Sequence, residues 1–460
     1  MSGLIVVLVM VLALLGAVAL AWVFRGWRRS PALGALLGAL LAGAGSLILV
    51  LPLGLCPFEA GASPLDRGFG FFLLALGALL GWGLAYWLAA IVWGDRAGSA
   101  DPETQLQGAF KAPWPAPWLL LAPTLLILIV FIYYPALDTF RLAAQNARLG
   151  NPRTQFVCVR NFTELIQPSY SPGAYALFAI TALVWLGLSY AQRQHWTLTR
   201  LYGYGRTVGW GLAIASAYVF AMGLWSDYYR LIFFNTFLIA AVTVVVGLAL
   251  SLALATLVHQ PIQGAGVYRT LLVWSYAISP AVAGVIFAIM FNPVAGVANH
   301  ILETTLHMQR LPWLTDPTLA RGVLITASIW KQLGYNILFY IAGLQTVPRD
   351  QIEAATLEGA NRWQRFTNVV LPALSPITFF LIITNLTYVF FDIYGMIDYL
   401  TSGGPNSATS VAIYEIIRVG IRADRNLGRA AAQSIILFMM VIGVTLLQFR
   451  TSGRRVTYGS

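Results

Sequence analysis

Lys331 stands near the middle of an apolar run, residues 322–347, long enough to cross a bilayer, and Asp392 stands in a second such run, 373–400. An ionised side chain at that depth costs ~2.5–3.5 kcal/mol on insertion scales unless it is paired or faces water, so both residues demand a partner. Two chemistries fit. The lysine and the aspartate can neutralise each other, or the lysine can face a passage and hold an anionic solute such as a phosphate ester; a pair that opens towards the solute would do both. Asn385, Tyr388 and Asp392 follow at i, i+3 and i+7, which aligns three polar groups on one helical face directed at a partner surface. That stripe either bonds neighbouring helices, at about 1 kcal/mol or less per contact, or touches a solute. Asn336, five residues beyond Lys331, adds another polar group to the set.

Between these two apolar runs lies a polar island. Glu353-Ala354-Ala355-Thr356-Leu357-Glu358 favours helix, Gly359 permits a bend after it, and Pro372 restarts the chain in the first turn of the next helix. A short helix is thereby pinned at a membrane surface. An ordinary amphipathic linker would look similar in composition, but here the residue types recur at fixed spacing and at a fixed place between two spans.

The elements that must position these residues are membrane helices. Of the 460 residues, 58% are hydrophobic and 10% charged, and the mean hydropathy is +0.74, which places the chain in the integral membrane class. Eleven apolar runs approach the ~20 residues that a span needs: 4–24, 31–54, 69–93, 118–137, 174–191, 207–225, 231–258, 270–291, 322–347, 373–400 and 430–449. The expected fold is all-α, a polytopic helix bundle. No GxxxxGK[ST], HExxH, CxxC or GxSxG motif occurs, so no catalytic or metal-ligating set is expected and any ATP hydrolysis belongs to another polypeptide.

Arg25, Arg28 and Arg29 are the charges between the first two runs and belong inside, with the N-terminus outside and the first run kept as a span rather than cleaved. Residues 94–117 are polar and Pro-rich, a linker between an N-terminal module, 1–117, and a core, 118–460. Counting spans puts 348–372 and the arginines at 450, 454 and 455 in the cytoplasm. It leaves Arg141, Arg148, Arg153, Arg160, Arg418, Arg422, Arg425 and Arg429 outside, against the statistical positive-inside bias. They could steer an anionic solute, meet an acidic partner or be solvated. The net charge of +11 is nearly all arginine, with Lys111 and Lys331 the only lysines; it fits anionic lipid, an anionic solute or basic cytoplasmic loops, and no nucleic-acid partner is expected. Cys56 and Cys158 fall in external loops, where a disulfide is chemically possible, although two cysteines make no framework.

The spacing from Glu353-Ala354-Ala355 to Gly359 and on to Leu371-Pro372 resembles the coupling loop of ABC importer permeases. Phe131-Ile132-Tyr133-Tyr134-Pro135, Asn235-Thr236, the run from Gly247 to Ala253, Tyr268-Arg269-Thr270, Phe291-Asn292-Pro293 with Gly296 and Asn299, Gly343-Leu344-Gln345-Thr346-Val347-Pro348, and Thr401-Ser402-Gly403-Gly404-Pro405 extend the likeness from about residue 118 to the end. Together they are similar to the sugar and glycerol-phosphate branch. Trp330-Lys331-Gln332 with Tyr335-Asn336, the run from Asn385 to Asp392, and Val444 to Arg450 most resemble the A-type permease subunits of glycerol-3-phosphate importers. Residues 1–117, and a hairpin over 174–225, have no counterpart in that pattern.

The resemblance implies a type I ABC importer permease core with extra N-terminal helices, in a bacterial or archaeal cytoplasmic membrane. It implies a second related permease, a pair of ATPase subunits carrying ATP and Mg, an extracytoplasmic solute-binding protein, and no cofactor on this chain. Glu353 and Glu358 would pair with basic residues of the ATPase, Ala354 and Ala355 would let it approach closely, Gly359 would bend, and Ala360 and Arg362 would belong to the same contact. The implied solute is glycerol-3-phosphate or a glycerophosphodiester, the alternative an oligosaccharide such as maltose or trehalose. A secondary transporter would instead carry several intramembrane carboxylates, and a regulatory scaffold would have no use for a coupling loop.

Overall fold

Runs this apolar satisfy their backbone groups in lipid only as helix or closed barrel, and here they form helix. The computed structural model describes residues 2–26, 30–48, 50, 58, 62, 64–93, 116–151, 154–167, 172–191, 223–259 and 264–452. The helices are α1 Ser2–Gly26, α2 Pro31–Ile48, α3 Pro64–Trp93, α4 Ala116–Leu128, α5 Tyr134–Ala143, α6 Arg160–Thr163, α7 Pro172–Ala191, α8 Asp227–His259, α9 Ala265–Ala277, α10 Pro280–Met290, α11 Val297–Thr304, α12 Pro317–Thr346, α13 Arg349–Leu357, α14 Arg362–Arg365, α15 Leu371–Ala373, α16 Ser375–Thr387, α17 Tyr394–Leu400, α18 Ala412–Ile417 and α19 Leu427–Ser452. Wide π-helical turns lie at Ile129–Tyr133, Phe366–Val370, Tyr388–Asp392 and Arg418–Arg422.

Among the described residues seven helices are long and apolar enough to cross a membrane, and the bent pair α9/α10 makes an eighth. At 20 and 30 residues, α7 and α12 are also long enough to cross. Most of the run expected at 207–225 lies outside the described residues, as do the linker at 94–115 and most of the second half of the 174–225 hairpin.

One expected span is broken. The run 270–291 forms α9 and α10, which meet at 102°. Pro280 has no N–H to donate and drives the residue before it out of helical geometry: Ile278 and Ser279 are extended, at ψ 137° and 152°. Ser279 then caps α10 by accepting from the Val282 amide.

Contacts group the chain into two compact units, residues 1–164 with 419–435, and 165–418 with 436–460. In the first, α1, α2 and α3 pack at backbone distance through glycines; a Cβ on Gly16 would lie 2.8 Å from the Gly38 carbonyl oxygen. In the same unit, β1 Gln145–Asn146 pairs antiparallel with β2 Gln155–Phe156, and buried Asn161 donates to the carbonyls of Ala143 and Gln145. Cys158 is disulfide-bonded, and the sequence's one other cysteine, Cys56, lies outside the described residues.

Four of the eight arginines that defied the charge bias meet carboxylates. Arg141 meets Asp138, Arg160 meets Glu164, and Arg429 reaches both Glu164 and Asp424. In the second unit Arg418 forks onto buried Glu415, which also accepts from the Tyr228 hydroxyl. The Glu415 hydrogen bonds raise the pKa of Arg418 above its ordinary value.

The second unit is packed in two apolar layers. One gathers Ile239, Phe287, Leu324, Val389, Ile393 and Met396; the other Leu248, Ile337, Tyr340, Leu374 and Leu381. α8, α12 and α16 serve both layers, so the polar residues of α12 and α16 are carried into the centre of the unit.

Candidate functional site

The coupling segment is ordered by bonds that close within a few residues. α13 follows α12 after only Val347 and Pro348. It ends in a Schellman motif: the Ala360 amide donates to the Ala355 carbonyl at 3.0 Å and the Gly359 amide to Thr356 at 3.1 Å. That closure requires the left-handed backbone of Gly359, at φ +81°, where a Cβ would meet nothing but would strain the chain. Asn361 opens α14 with a capping box, accepting from the Gln364 amide while Gln364 Oε1 accepts from the Asn361 amide. Arg365 donates to Thr356 Oγ1 at 2.6 Å and ties the two arms together.

The result is a small, rigid prominence. Glu353, Ala354, Glu358, Gly359 and Arg362 are exposed, and Ala355 and Ala360 are half-buried. Sequence reasoning missed its apolar component: Leu357 is 91% and Trp363 71% exposed. The signal was present, since both stand as large apolar residues inside a polar island, and exposed aromatic and aliphatic groups are the usual anchors of a protein contact.

In the interior, Lys331 and Asp392 do not form an ion pair. Lys331 is 5% exposed and its Nζ donates to the Tyr276 carbonyl oxygen at 2.9 Å, with the Tyr276 ring centroid 4.8 Å away. The reason is the break at Ile278-Ser279, which leaves the last carbonyls of α9 without amides to receive; a lysine at a helix C-terminus supplies the donor. Tyr276 was not singled out in the sequence, although Ser279-Pro280 marked the break.

The i, i+3, i+7 stripe also divides. Asn385 and Asn336, both fully buried, bond reciprocally at 2.7 and 3.1 Å, and Asn385 donates further to the Leu381 carbonyl. Tyr388 is buried and directs its hydroxyl at Met396 Sδ, 3.9 Å away and also approached by Ser328. Asp392 is exposed. The stripe was drawn with 3.6 residues per turn, whereas Tyr388–Asp392 is π-helical, and the wider turn rotates Asp392 off the face.

Comparison with known proteins agrees with this architecture. The family model of binding-protein-dependent transport system inner membrane components matches residues 264–451. The sn-glycerol-3-phosphate transport system permease protein UgpA of Pectobacterium atrosepticum is 34% identical, over 77% of this chain and 99% of its own length. Its namesake from Agrobacterium fabrum is 42% identical over 49% of this chain and 75% of its own. The solved structure of a bacterial ABC transporter involved in the import of the acidic polysaccharide alginate matches in fold, with TM-score 0.50 and 19% identity over 73% of this chain and 96% of the other. A relative aligned over nearly its whole length, a helical bundle with span-length helices, and a family match that takes in the coupling segment and the interior polar set converge: the chain belongs to the binding-protein-dependent ABC importer permeases, multi-pass proteins of the cytoplasmic membrane.

Proposed function

We propose that this permease subunit lines the path by which an importer moves glycerol-3-phosphate or a glycerophosphodiester into the cell. The observation that carries the solute class is the identity, 34% over 77% of this chain and 42% over a shorter stretch, with permeases named for sn-glycerol-3-phosphate transport. A second permease completes the path, an extracytoplasmic binding protein delivers the solute, and an ATPase dimer holds ATP and Mg. The prominence at 349–365 faces the cytoplasm and docks the ATPase, with Leu357 and Trp363 as apolar anchors and Glu353, Glu358 and Arg362 as the charged rim. Closure of the ATPase dimer on ATP displaces α13, and α12, joined to it by two residues, transmits the movement into the membrane. Asn336, Asn385 and Tyr388 hold together the helices that border the path.

The test is uptake into liposomes holding the complete transporter, comparing labelled glycerol-3-phosphate with maltose and trehalose. ATP-dependent entry of the phosphate ester alone is the expected result. Entry of a neutral sugar instead would overturn the solute class and leave the importer assignment standing.

A further inference from the structure

We propose that Lys331 is a positioning residue for transport: it binds the arm of the broken helix nearer the coupling segment to α12, so that movement of the coupling segment reaches the joint between α9 and α10. The inference rests on the preceding reading that α13 receives the thrust of the ATPase.

Four observations carry it. The joint lies at Ile278-Ser279, where the chain turns by 102°, and the helix ends there, so the final carbonyls of α9 have no following helical amides to accept from. Lys331 Nζ bonds one of them, that of Tyr276, from the neighbouring helix. One turn further along α12, Gly334 brings the same two helices to backbone distance, since a Cβ there would stand 2.7 Å from the Leu272 carbonyl oxygen and 2.9 Å from Val273 Cα. The other arm makes its closest backbone approach to a different helix: a Cβ on Gly284 of α10 would lie 2.7 Å from the Met396 carbonyl oxygen of α17, and one on Gly395 3.3 Å from the Ala281 nitrogen.

At backbone distance the two arms of the broken helix are thus held by two different helices, α9 by α12 and α10 by α17, while Phe287 of α10 also meets Trp330 of α12 ring to ring, with centroids 5.5 Å apart. From Lys331, α12 continues unbroken to Thr346, roughly 22 Å at 1.5 Å per residue, and two residues later becomes α13. A displacement of α13 thus acts on α9 through a charged donor on a flexible four-carbon stem, which can keep its carbonyl while the angle at the joint changes. The charge sits against the negative end of a helix dipole and an aromatic face, and Asp392 acts on it through space without forming an ion pair.

The experiment uses the complete transporter in liposomes, with labelled glycerol-3-phosphate as the probe and ATP hydrolysis stimulated by the binding protein as a second readout. Lys331→Met keeps the length of the stem and removes the donor; Lys331→Arg restores one. We expect Lys331→Met to lower maximal uptake at least tenfold, to keep the KM for solute within twofold, and to leave stimulated ATP hydrolysis within threefold, so that solute moved per ATP collapses. Lys331→Arg should recover at least a third of the wild-type ratio. Gly334→Ala keeps the charge and forces α9 from α12; it should reproduce the loss, and it carries the test should Lys331→Met fail to reach the membrane. A tenfold rise in KM at unchanged maximal rate would make Lys331 a solute contact, and unchanged coupling in both Lys331→Met and Gly334→Ala would remove the joint from the mechanism. If wild type moves maltose rather than the phosphate ester, the solute class falls and the coupling ratio, read with maltose, still decides the role of Lys331. Wild-type protein whose partner hydrolyses no ATP would overturn the proposal together with the functional reading beneath it.

Discussion

The coupling segment and the membrane interior use the same side chain in opposite ways. Asn361 finds its partner Gln364 three residues along the chain, whereas Asn336 finds Asn385 forty-nine residues away. In the coupling segment each bond closes inside a turn, by a capping box, a Schellman closure and one arginine strap, so the prominence keeps its shape while nearly all its surface faces outwards. In the interior Asn336, Asn385 and Lys331 each reach a partner on another helix, and the loss of one is felt by both. Local closure makes a rigid surface for a partner; closure across helices makes a bundle whose parts move together.

The sharpest way to break this comparison is at Asn385. Asn385→Ala leaves the Asn336 amide buried and unpaired, which should cost about 1–3 kcal/mol, read as a lowered denaturant midpoint of the purified subunit in detergent. Replacing both asparagines by leucine should restore most of that loss, because the penalty arises from the orphaned group rather than the missing bond; a double variant worse than either single one would refute cross-helix dependence.

At Gly359 the cost is conformational only, since the space around it is open. Gly359→Ala should lose about 1–2 kcal/mol of local order, seen as faster amide exchange over residues 353–365, with the midpoint of the whole subunit unmoved. Asn361→Ala, which removes one cap, should give a smaller effect of the same kind, about 1 kcal/mol, and exchange that spreads into α12 would break the claim that the segment closes on itself. Trp363→Ala should change stability least, within about 0.5 kcal/mol, and yet reduce recovery of the ATPase on co-purification; full recovery would show that this exposed ring is not an anchor.

The same difference explains what could be read in advance. Gly359 was placed by residue preference alone, because a left-handed turn depends on a few neighbouring atoms; Pro372, expected to restart the chain, instead lies in a helical path that already runs from Arg362 to Ala373, and the next helix begins at Ser375. The broken helix announced itself in Ser279-Pro280 but was overridden by the apolar length of residues 270–291, a case of periodicity masking a local breaker. Asp392 was misplaced because the turn that carries it is wider than 3.6 residues, and nothing in Tyr388–Asp392 as a string of residues signals a π-helical turn. Leu357 and Trp363 were visible as residues, and only the structure showed that the segment turns them outwards.

By itself the sequence determined the membrane class, the helical architecture, the short polar helix between two spans and the demand that Lys331 be compensated, since each follows from hydropathy, backbone chemistry or the cost of a charge in lipid. Only the tertiary structure decided that the compensation is the Tyr276 carbonyl rather than Asp392, and that Asn336 and Asn385 satisfy each other. A buried polar group requires some partner, and which one it takes depends on which helices the packing brings together.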